Sequence, residues 1–343
     1  MATRVAINGV GRIGRAFIKA AWAREELDVV ALNDLGDIHT LAYLLKYDSV
    51  YGRAPFSVEV SEDQKQLIID GKPVNFYSEK DPTQLPWAED RENIDVVVEA
   101  TGVFRKFEDA KKHQGAGARR VVISAPAKSD PTDDTQGTVL MGVNDGSLAT
   151  CRISSNGSCT TNAGAPIVQV LHEAIGIEKA MLNTTHSYTA TQALVDSPDN
   201  KDPRRGRAAA ENMIPTTTGA AIATTKVIPD LVDKFDGIAV RVPTPAGSIA
   251  DITFVASRDT SAEEVNDILR SAARDERWSK TFTVTEEPLV SSDIVGMNFG
   301  AIADLAMTRV TGGNLVKVMS WYDNEAGYTH TLVEHVIATG RHI

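Results

Sequence analysis

Cys159 stands in the stretch SSNGSCTTNAGAP, Ser154 to Pro166, with hydroxyl side chains around it and a turn at Asn156-Gly157 just before it. The other cysteine, Cys151, lies among strand-like residues in ATCRIS, where a small buried hydrophobe is the expected role. Two cysteines cannot make a disulfide framework, and a reducing compartment disfavours pairing them. The setting of Cys159 differs, because an apolar run suited to a helix, Ile167 to Ile175, follows it. A helix N-terminus lowers a thiol's pKa, and the thiolate is the nucleophile. A thiolate adds to an aldehyde to give a hemithioacetal, which carries a hydride that a nicotinamide accepts. The thioester left behind can pass its acyl group to a second nucleophile. Such chemistry needs a base for the hydroxyl proton, and histidine suits neutral pH. His39, His113, His172, His330, His335 and His342 lie on helix-like or terminal stretches, whereas His186 lies in the Thr-rich strand NTTHSYT. His186 is therefore the candidate base.

A hydride acceptor implies a dinucleotide site, and NGVGRIG supplies G-x-G-x-x-G at Gly9, Gly11 and Gly14. The motif closes the first expected strand and opens the first expected helix, the context in which the backbone approaches a pyrophosphate at the helix N-terminus. Asp34 ends the second expected strand. A carboxylate there accepts hydrogen bonds from ribose hydroxyls and repels a 2′-phosphate, favouring NAD over NADP. EATG, Glu99 to Gly102, and Ser124 end later strands, so Thr101, Gly102 and Ser124 are expected to contact the cofactor. No metal is expected.

The elements that must position these groups follow from periodicity. Strands are expected at Arg4–Gly9, Asp28–Asp34, Asp95–Gly102 and Arg119–Pro126, alternating with helices at Arg12–Glu25, Leu41–Asp48 and residues 106–118. Continuous Val/Ile strands between helices indicate a parallel sheet covered on both faces. Residues Phe56–Ser78 alternate and carry Asp70-Gly71, a hairpin signal. The texture changes near Ser154 to longer Thr-rich strands, Met181–Thr189, Ile238–Pro245 and Ser248–Ser257, then a helix at Thr260–Asp275 opened by a Ser261/Glu264 capping box. The tail GYTHTLVEHVIATG reads as an amphipathic helix. The expected fold is thus an α/β dinucleotide-binding domain of Rossmann type plus an α+β domain with a mostly antiparallel sheet.

The 343 residues suffice for two domains, and 42% hydrophobic with 24% charged residues is ordinary for a globular chain. A net charge of −11 disfavours nucleic acid and anionic membranes as partners, with KDPRRGR, Lys201 to Arg207, a local basic exception. The opening MATRVAINGVGR runs directly into strand, without the basic head and apolar stretch of a signal peptide, and the cytoplasm is the expected location.

Taken together and in order, INGVGRIGR, VVALND, LLKYDSVYG, VVEATGVF, VVISAPA, MGVN, SNGSCTTN, THSYT, RRGRAAAENMIPTTTGAA, AVRVPTP and SWYDNEAGY resemble the signatures of the phosphorylating glyceraldehyde-3-phosphate dehydrogenase family over nearly the whole chain. The resemblance implies Cys159 as nucleophile and His186 as base and oxyanion helper, with inorganic phosphate cleaving an acyl-enzyme to 1,3-bisphosphoglycerate. It implies inorganic-phosphate contacts at Ser158, Thr160, Arg205, Thr218 and Gly219, and substrate-phosphate contacts at Thr189 and Arg241. Arg12 and Ile13 would meet the pyrophosphate, Asn324 the nicotinamide carboxamide, and Tyr328 would pack beside the ring. It further implies a Rossmann domain over 1–155 completed by a C-terminal helix, 324–343, a catalytic domain over 156–323, and a homotetramer in which Asp196–Pro215 lines a neighbour's cofactor cleft. In that assembly the basic loop serves an anion site or subunit pairing.

Ala163 stands where the family has a second cysteine or an alanine; the chain departs from the family pattern at Thr191, where an acidic residue is usual, and at a loop before the arginines that is one residue longer and carries Pro203. Ala326 replaces tryptophan and Asp145 replaces histidine. Ser197 is compatible with NADP use, whereas Asp34, Leu35 and Pro198 favour NAD. The alternatives are a sister enzyme that oxidises erythrose 4-phosphate and releases the free acid, and a NAD-loaded thiol redox sensor.

Overall fold

The computed structural model describes residues 2–89, 93–200 and 202–343. The chain forms two compact units: residues 1–139, 144–157 and 332–343 make the first, and residues 140–143 and 158–331 the second. Relative to a division at 155/156 and 323/324, Leu140–Val143 joins the second unit, and the opening of the C-terminal helix, up to Thr331, is grouped with it as well.

The first unit is a nine-stranded sheet. In order across it lie Gln136–Thr138, Ile153–Ser155, Arg120–Ile123, Val96–Glu99, Thr3–Asn8, Leu27–Asn33, Lys72–Tyr77, Gln66–Ile69 and Val58–Val60. The first seven run parallel, and the last two are joined antiparallel. The central strands are apolar on both faces, and Val5, Ala6, Ile7, Val96, Val97 and Val98 are all fully buried, as a sheet covered on both faces requires. Asp70-Gly71 makes the expected hairpin with φ of 46° and 77°, the left-handed pair that a tight two-residue turn needs. The helix Arg12–Ala21 buries Gly14, Phe17, Ile18 and Ala21 at helical spacing. It ends four residues before Glu25, where the chain turns through Arg24 into the second strand.

The C-terminal helix, Ala326–Gly340, corrects the amphipathic reading. Thr329, Thr331, Glu334, His335 and Thr339 are as buried as Leu332, Val333 and Val336. Its polar side chains have partners instead of water. Thr331 and Thr339 hydroxyls donate back to the helix, Arg24 pairs with Glu334 at 2.6 Å, and His335 lies between Ser154 and Asn156.

The second unit is a seven-stranded sheet in the order Ile214–Thr217, Phe235–Val242, Ile177–Ser187, Ser248–Ala256, Leu315–Tyr322, Ala301–Thr311 and Phe282–Thr285. Four of its six pairings are antiparallel, and two, at each side of the sheet, are parallel. A 17-residue helix, Cys159–Ile175, supplies Ala163, Ile167, Val168 and Leu171 to the core formed with Leu182, Ile252, Phe254 and Val318. At the helix Ala262–Ala272 only half of the expected capping box forms. Ser261 accepts from the Glu264 amide, but the Glu264 carboxylate turns to Arg258 and Thr260, which hold its pKa down to about 2. Among the described residues, no helix is long and apolar enough to cross a membrane.

Candidate active site

Ser158 is the N-cap of the thiol helix, and Cys159 is its first residue, so the helix begins at the thiol and not after it. The cap is a reciprocal box. Ser158 Oγ accepts from the Thr161 amide at 3.0 Å, and Thr161 Oγ1 accepts from the Ser158 amide at 3.2 Å. This locks the turn that presents the sulfur. Cys159 Sγ lies 3.3 Å from His186 Nε2. Cys159 is partly exposed, while His186, near the end of the strand Ile177–Ser187, is buried. The parallel register sets Arg241 beside His186, with Nη1 2.7 Å from Nδ1.

The electrostatics correct one expectation. Burial pushes the Cys159 thiol above its ordinary pKa, against the opposing pull of Arg241 and the Thr160 hydrogen bonds. The helix terminus alone therefore does not ionise it. Burial first, and the Arg241 charge second, lower the His186 pKa to about 3, so the imidazole is neutral near pH 7.

Tyr322 holds this corner from below and has no role in the sequence reading. Its fully buried hydroxyl lies 2.9 Å from Thr160 Oγ1 and 2.7 Å from Thr184 Oγ1, and its ring meets the His186 ring edge-on. Thr160, expected at an inorganic phosphate, therefore has its hydroxyl turned inward to Tyr322 and the Cys159 sulfur. Thr189 lies just beyond its strand, and its hydroxyl is 2.9 Å from that of Thr191. Gly219 caps the helix Ala220–Val227, and Thr218 Oγ1 accepts from the Ala220 amide. In the basic stretch, Lys201 lies outside the described residues. Arg204 pairs with Asp202 and Arg207 with Asp196, while the charge of Arg205 is felt at Arg241. Asn324 is buried and its Oδ1 accepts from Ser248, and Tyr328 is buried at the start of the C-terminal helix. Cys151 is buried and both cysteines are free.

In the first unit a cleft of about 650 Å³ opens at the C-terminal ends of the parallel strands, lined by Gly9, Gly11, Asp34, Leu35, Thr101 and Phe104 among others. A side chain at Gly9, whose φ is +100°, would strike the Thr101 amide at 2.6 Å, and one at Gly14 would strike the Gly9 carbonyl at 2.0 Å. A side-chain carbon at Gly11 would meet nothing within 4 Å, which leaves open the space a pyrophosphate needs at the helix N-terminus. The residues present fit a dinucleotide. Asp34 braces the loop, its Oδ2 accepting from Val10 at 2.6 Å and its Oδ1 from Gly36 at 2.8 Å. The Arg12 guanidinium is turned to Asp48 and Ile13 packs on the core, so these two residues offer backbone rather than side chains. Ser124 ends its strand with its amide on the Glu99 carbonyl, and Gly102 sits at φ +71° in the turn after Glu99. A second depression, about 730 Å³, lies on the other unit's sheet beside Met181, Phe235 and Thr253, with neither cysteine nor histidine in its walls.

Under the cleft lies a buried polar chain that sequence reading did not assemble. Trp87 Nε1 donates to His113 Nδ1 at 3.1 Å, which places the ring proton on Nε2, 3.1 Å from Glu99 Oε2. Glu99 also accepts from Asn8 Nδ2 at 2.6 Å and from the Thr101 amide at 2.9 Å, and Asn8 accepts from Asn33 at 2.7 Å. The ends of three neighbouring strands are thereby tied together. The only sequence signal is a polar residue closing each of those apolar strands.

Residues 3–107 match the glyceraldehyde 3-phosphate dehydrogenase NAD binding domain, and residues 158–324 match the C-terminal domain of the same family. The chain belongs to the glyceraldehyde 3-phosphate dehydrogenase family. It is 49% identical over 334 residues to the glyceraldehyde-3-phosphate dehydrogenase of Thermotoga maritima, covering 96% of this chain and 97% of that one. It is 48% identical over 336 residues to that of Geobacillus stearothermophilus, covering 97% of each, and 45% identical over 346 residues to that of Streptomyces coelicolor, covering each in full. The first unit thus contains the family's NAD binding domain, and NAD is the cofactor.

Proposed function

We propose that the chain is a phosphorylating glyceraldehyde-3-phosphate dehydrogenase: it oxidises D-glyceraldehyde 3-phosphate with NAD and inorganic phosphate to 1,3-bisphosphoglycerate. The observation that carries this reading is a helix-terminal thiol, Cys159, 3.3 Å from the His186 imidazole, inside the matched C-terminal domain. The Cys159 sulfur adds to the aldehyde carbon, and the carbonyl π pair moves to oxygen. His186 Nε2 takes the thiol proton as the sulfur adds, donates it to the oxygen that the π pair has charged, and takes it back from the resulting hydroxyl as the hydride leaves carbon. Bound NAD would supply the hydride acceptor; Gly9, Gly11 and Gly14 with the amides of Arg12 and Ile13 would hold its pyrophosphate, and Asp34 its ribose. Thr101, Gly102 and Ser124 would line its path, and Asn324 and Tyr328 would be the nicotinamide contacts. The carbon is then a thioester. A phosphate oxygen attacks it, the C–S bond breaks, and the thiolate returns. Ser158, the Thr160 amide, Arg205, Thr218 and Gly219 bind the attacking phosphate, and Thr189 and Arg241 bind the substrate phosphate, because guanidinium forks and N–H groups match phosphate oxygens. The residues 1–155 with 324–343 act as the cofactor domain and 156–323 as the catalytic domain of a cytoplasmic homotetramer.

NADH formation with glyceraldehyde 3-phosphate tests the reading, measured with and without inorganic phosphate, on wild type and Cys159→Ser. Steady turnover is expected only with phosphate or arsenate, and Cys159→Ser is expected to lose about 10³-fold or more. Turnover that does not need the acyl acceptor sinks the proposal and favours a hydrolytic aldehyde oxidation.

A further inference from the structure

Three polar atoms meet behind the His186 ring. Nδ1 lies 2.7 Å from the Ser187 carbonyl oxygen and 2.7 Å from Arg241 Nη1, and Nη1 lies 3.0 Å from the same oxygen. The parallel register forces the meeting, since His186 and Arg241 are strand partners. The triangle cannot be satisfied in full by one arrangement of protons. With the proton on Nδ1, the ring donates to Ser187, the Arg241 N–H confronts another N–H, and Nε2 presents a lone pair to the sulfur. With Arg241 donating to Nδ1, the ring proton sits on Nε2 and points at the sulfur, 3.3 Å away, while Nδ1 and the Ser187 oxygen face each other lone pair to lone pair. His186 is 3% exposed, so solvent has little room to relieve either conflict.

We propose that Arg241 sets the tautomer of His186, and that the phosphate group of the aldehyde substrate, by drawing the Arg241 guanidinium to itself, releases Nδ1 to the Ser187 carbonyl and turns Nε2 from a donor into the base. This rests on the roles given above to Cys159, His186 and the substrate-phosphate contacts. The ring keeps one proton throughout. One proton leaves Nε2 and one reaches Nδ1 by exchange with solvent, before the adduct forms. Among the described residues no carboxylate pairs with Arg241; it faces His186, Ser187, the Cys159 thiol, the Tyr322 hydroxyl and the positive charge of Arg205, none of which offers it a resident anion at neutral pH. The low basicity of His186 agrees with this, because the Arg241 charge is its second cause after burial. Substrate binding then selects one of two nearly balanced states, and Arg241 is a positioning residue as well as a phosphate contact.

The first-turnover burst of NADH in phosphate-free buffer tests this, with glyceraldehyde 3-phosphate and with glyceraldehyde, which lacks the phosphate group. Arg241→Met is expected to lose about tenfold to a hundredfold in burst rate with glyceraldehyde 3-phosphate, the range for a lost hydrogen bond to a charged group. With glyceraldehyde the same variant is expected to be faster than wild type. Phosphite dianion is expected to accelerate the wild-type burst with glyceraldehyde and leave Arg241→Met unchanged. Equal losses with both aldehydes, or a wild type indifferent to phosphite, overturn the inference. Cys159→Ser separates it from the reading beneath it: a burst retained in that variant overturns the catalytic roles themselves. The wild-type protein gives a readout that needs no stable variant. Nitrogen NMR of protein labelled in histidine is expected to place the His186 proton on Nε2 without anion and on Nδ1 with sulfate. The same tautomer in both conditions refutes the switch.

Discussion

At the scale of single residues the site depends on groups that hold Cys159 and His186 from behind. Tyr322 is the clearest of them. Its hydroxyl joins Thr160, on the thiol helix, to Thr184, on the histidine strand, and so fixes the spacing of Cys159 and His186. Tyr322→Phe keeps the ring and deletes this bridge, yet Thr184 retains the Ile249 carbonyl as an acceptor. Such a loss costs about 1–2 kcal/mol, because the threonine hydroxyls are only partly orphaned. The expected outcome is that loss in urea unfolding of the second unit, with the acylation rate falling less than about tenfold. NAD affinity is expected to be unchanged. A variant whose affinity for NAD collapses while its rate holds has Tyr322 acting elsewhere. Sequence reading singled out Cys159 and His186, which the fold sets 3.3 Å apart, because their types and neighbours were unusual. It missed Tyr322 because a tyrosine in a strand resembles any core aromatic until the two threonines are seen around its hydroxyl.

At the scale of elements the three glycines of the first loop divide their duties in a way that the motif hides. Gly9 and Gly14 are constrained by the protein itself, through the Thr101 amide and the Gly9 carbonyl, whereas Gly11 faces open space. Gly11 also has φ −69° and ψ −163°, an extended backbone that alanine adopts without strain. Gly11→Ala is therefore expected to fold with a loss within about 1 kcal/mol, the scale of a poorer N-cap residue. It is expected to weaken NAD about tenfold or more, since its methyl group occupies the approach to the helix N-terminus. Gly14→Ala presses a methyl against a backbone oxygen and is expected to lose about 2–3 kcal/mol or more in stability. Denaturant unfolding and NAD titration of both variants read the contrast; equal behaviour contradicts this division. The order of strands and helices was largely legible, because each apolar run had one dominant period. Element ends were less so. The strand expected to run to Thr189 stops at Ser187, and the helix expected to reach Glu25 stops at Ala21, since loop hydrogen bonds rather than periodicity decide the last turn.

At the scale of the whole molecule the C-terminal segment closes the first unit, and it does so with polar groups that water cannot reach. Arg120 is buried, with Nη1 donating to the Cys151 carbonyl and Nη2 to the His342 carbonyl, each at 2.7 Å, so the chain's end is tied back to the sheet. His335 is more consequential. Nδ1 donates to Asn156 Oδ1 at 3.1 Å, and Nε2 lies 2.8 Å from the Ser154 hydroxyl, which can donate to it. Burial holds its pKa down to about 3, against 6.5 for an ordinary histidine. Below about pH 6.5 the unfolded chain binds a proton that the folded chain refuses until near pH 3. The stabilisation is therefore complete above about pH 6.5 and is lost as pH falls, by up to about 1.4 kcal/mol per pH unit. His186, buried neutral in the second unit, pulls in the same direction. His335→Gln keeps one donor and one acceptor without a titrating ring. Its first unit, followed by amide hydrogen exchange, is expected to be less stable than wild type near pH 8 by about 1–2 kcal/mol. Between about pH 6 and pH 4.5 its stability is expected to fall less steeply than wild type, so the difference narrows or reverses. Parallel curves for the two proteins mean that His335 does not titrate on unfolding, and the acid sensitivity of the unit then belongs to its carboxylates.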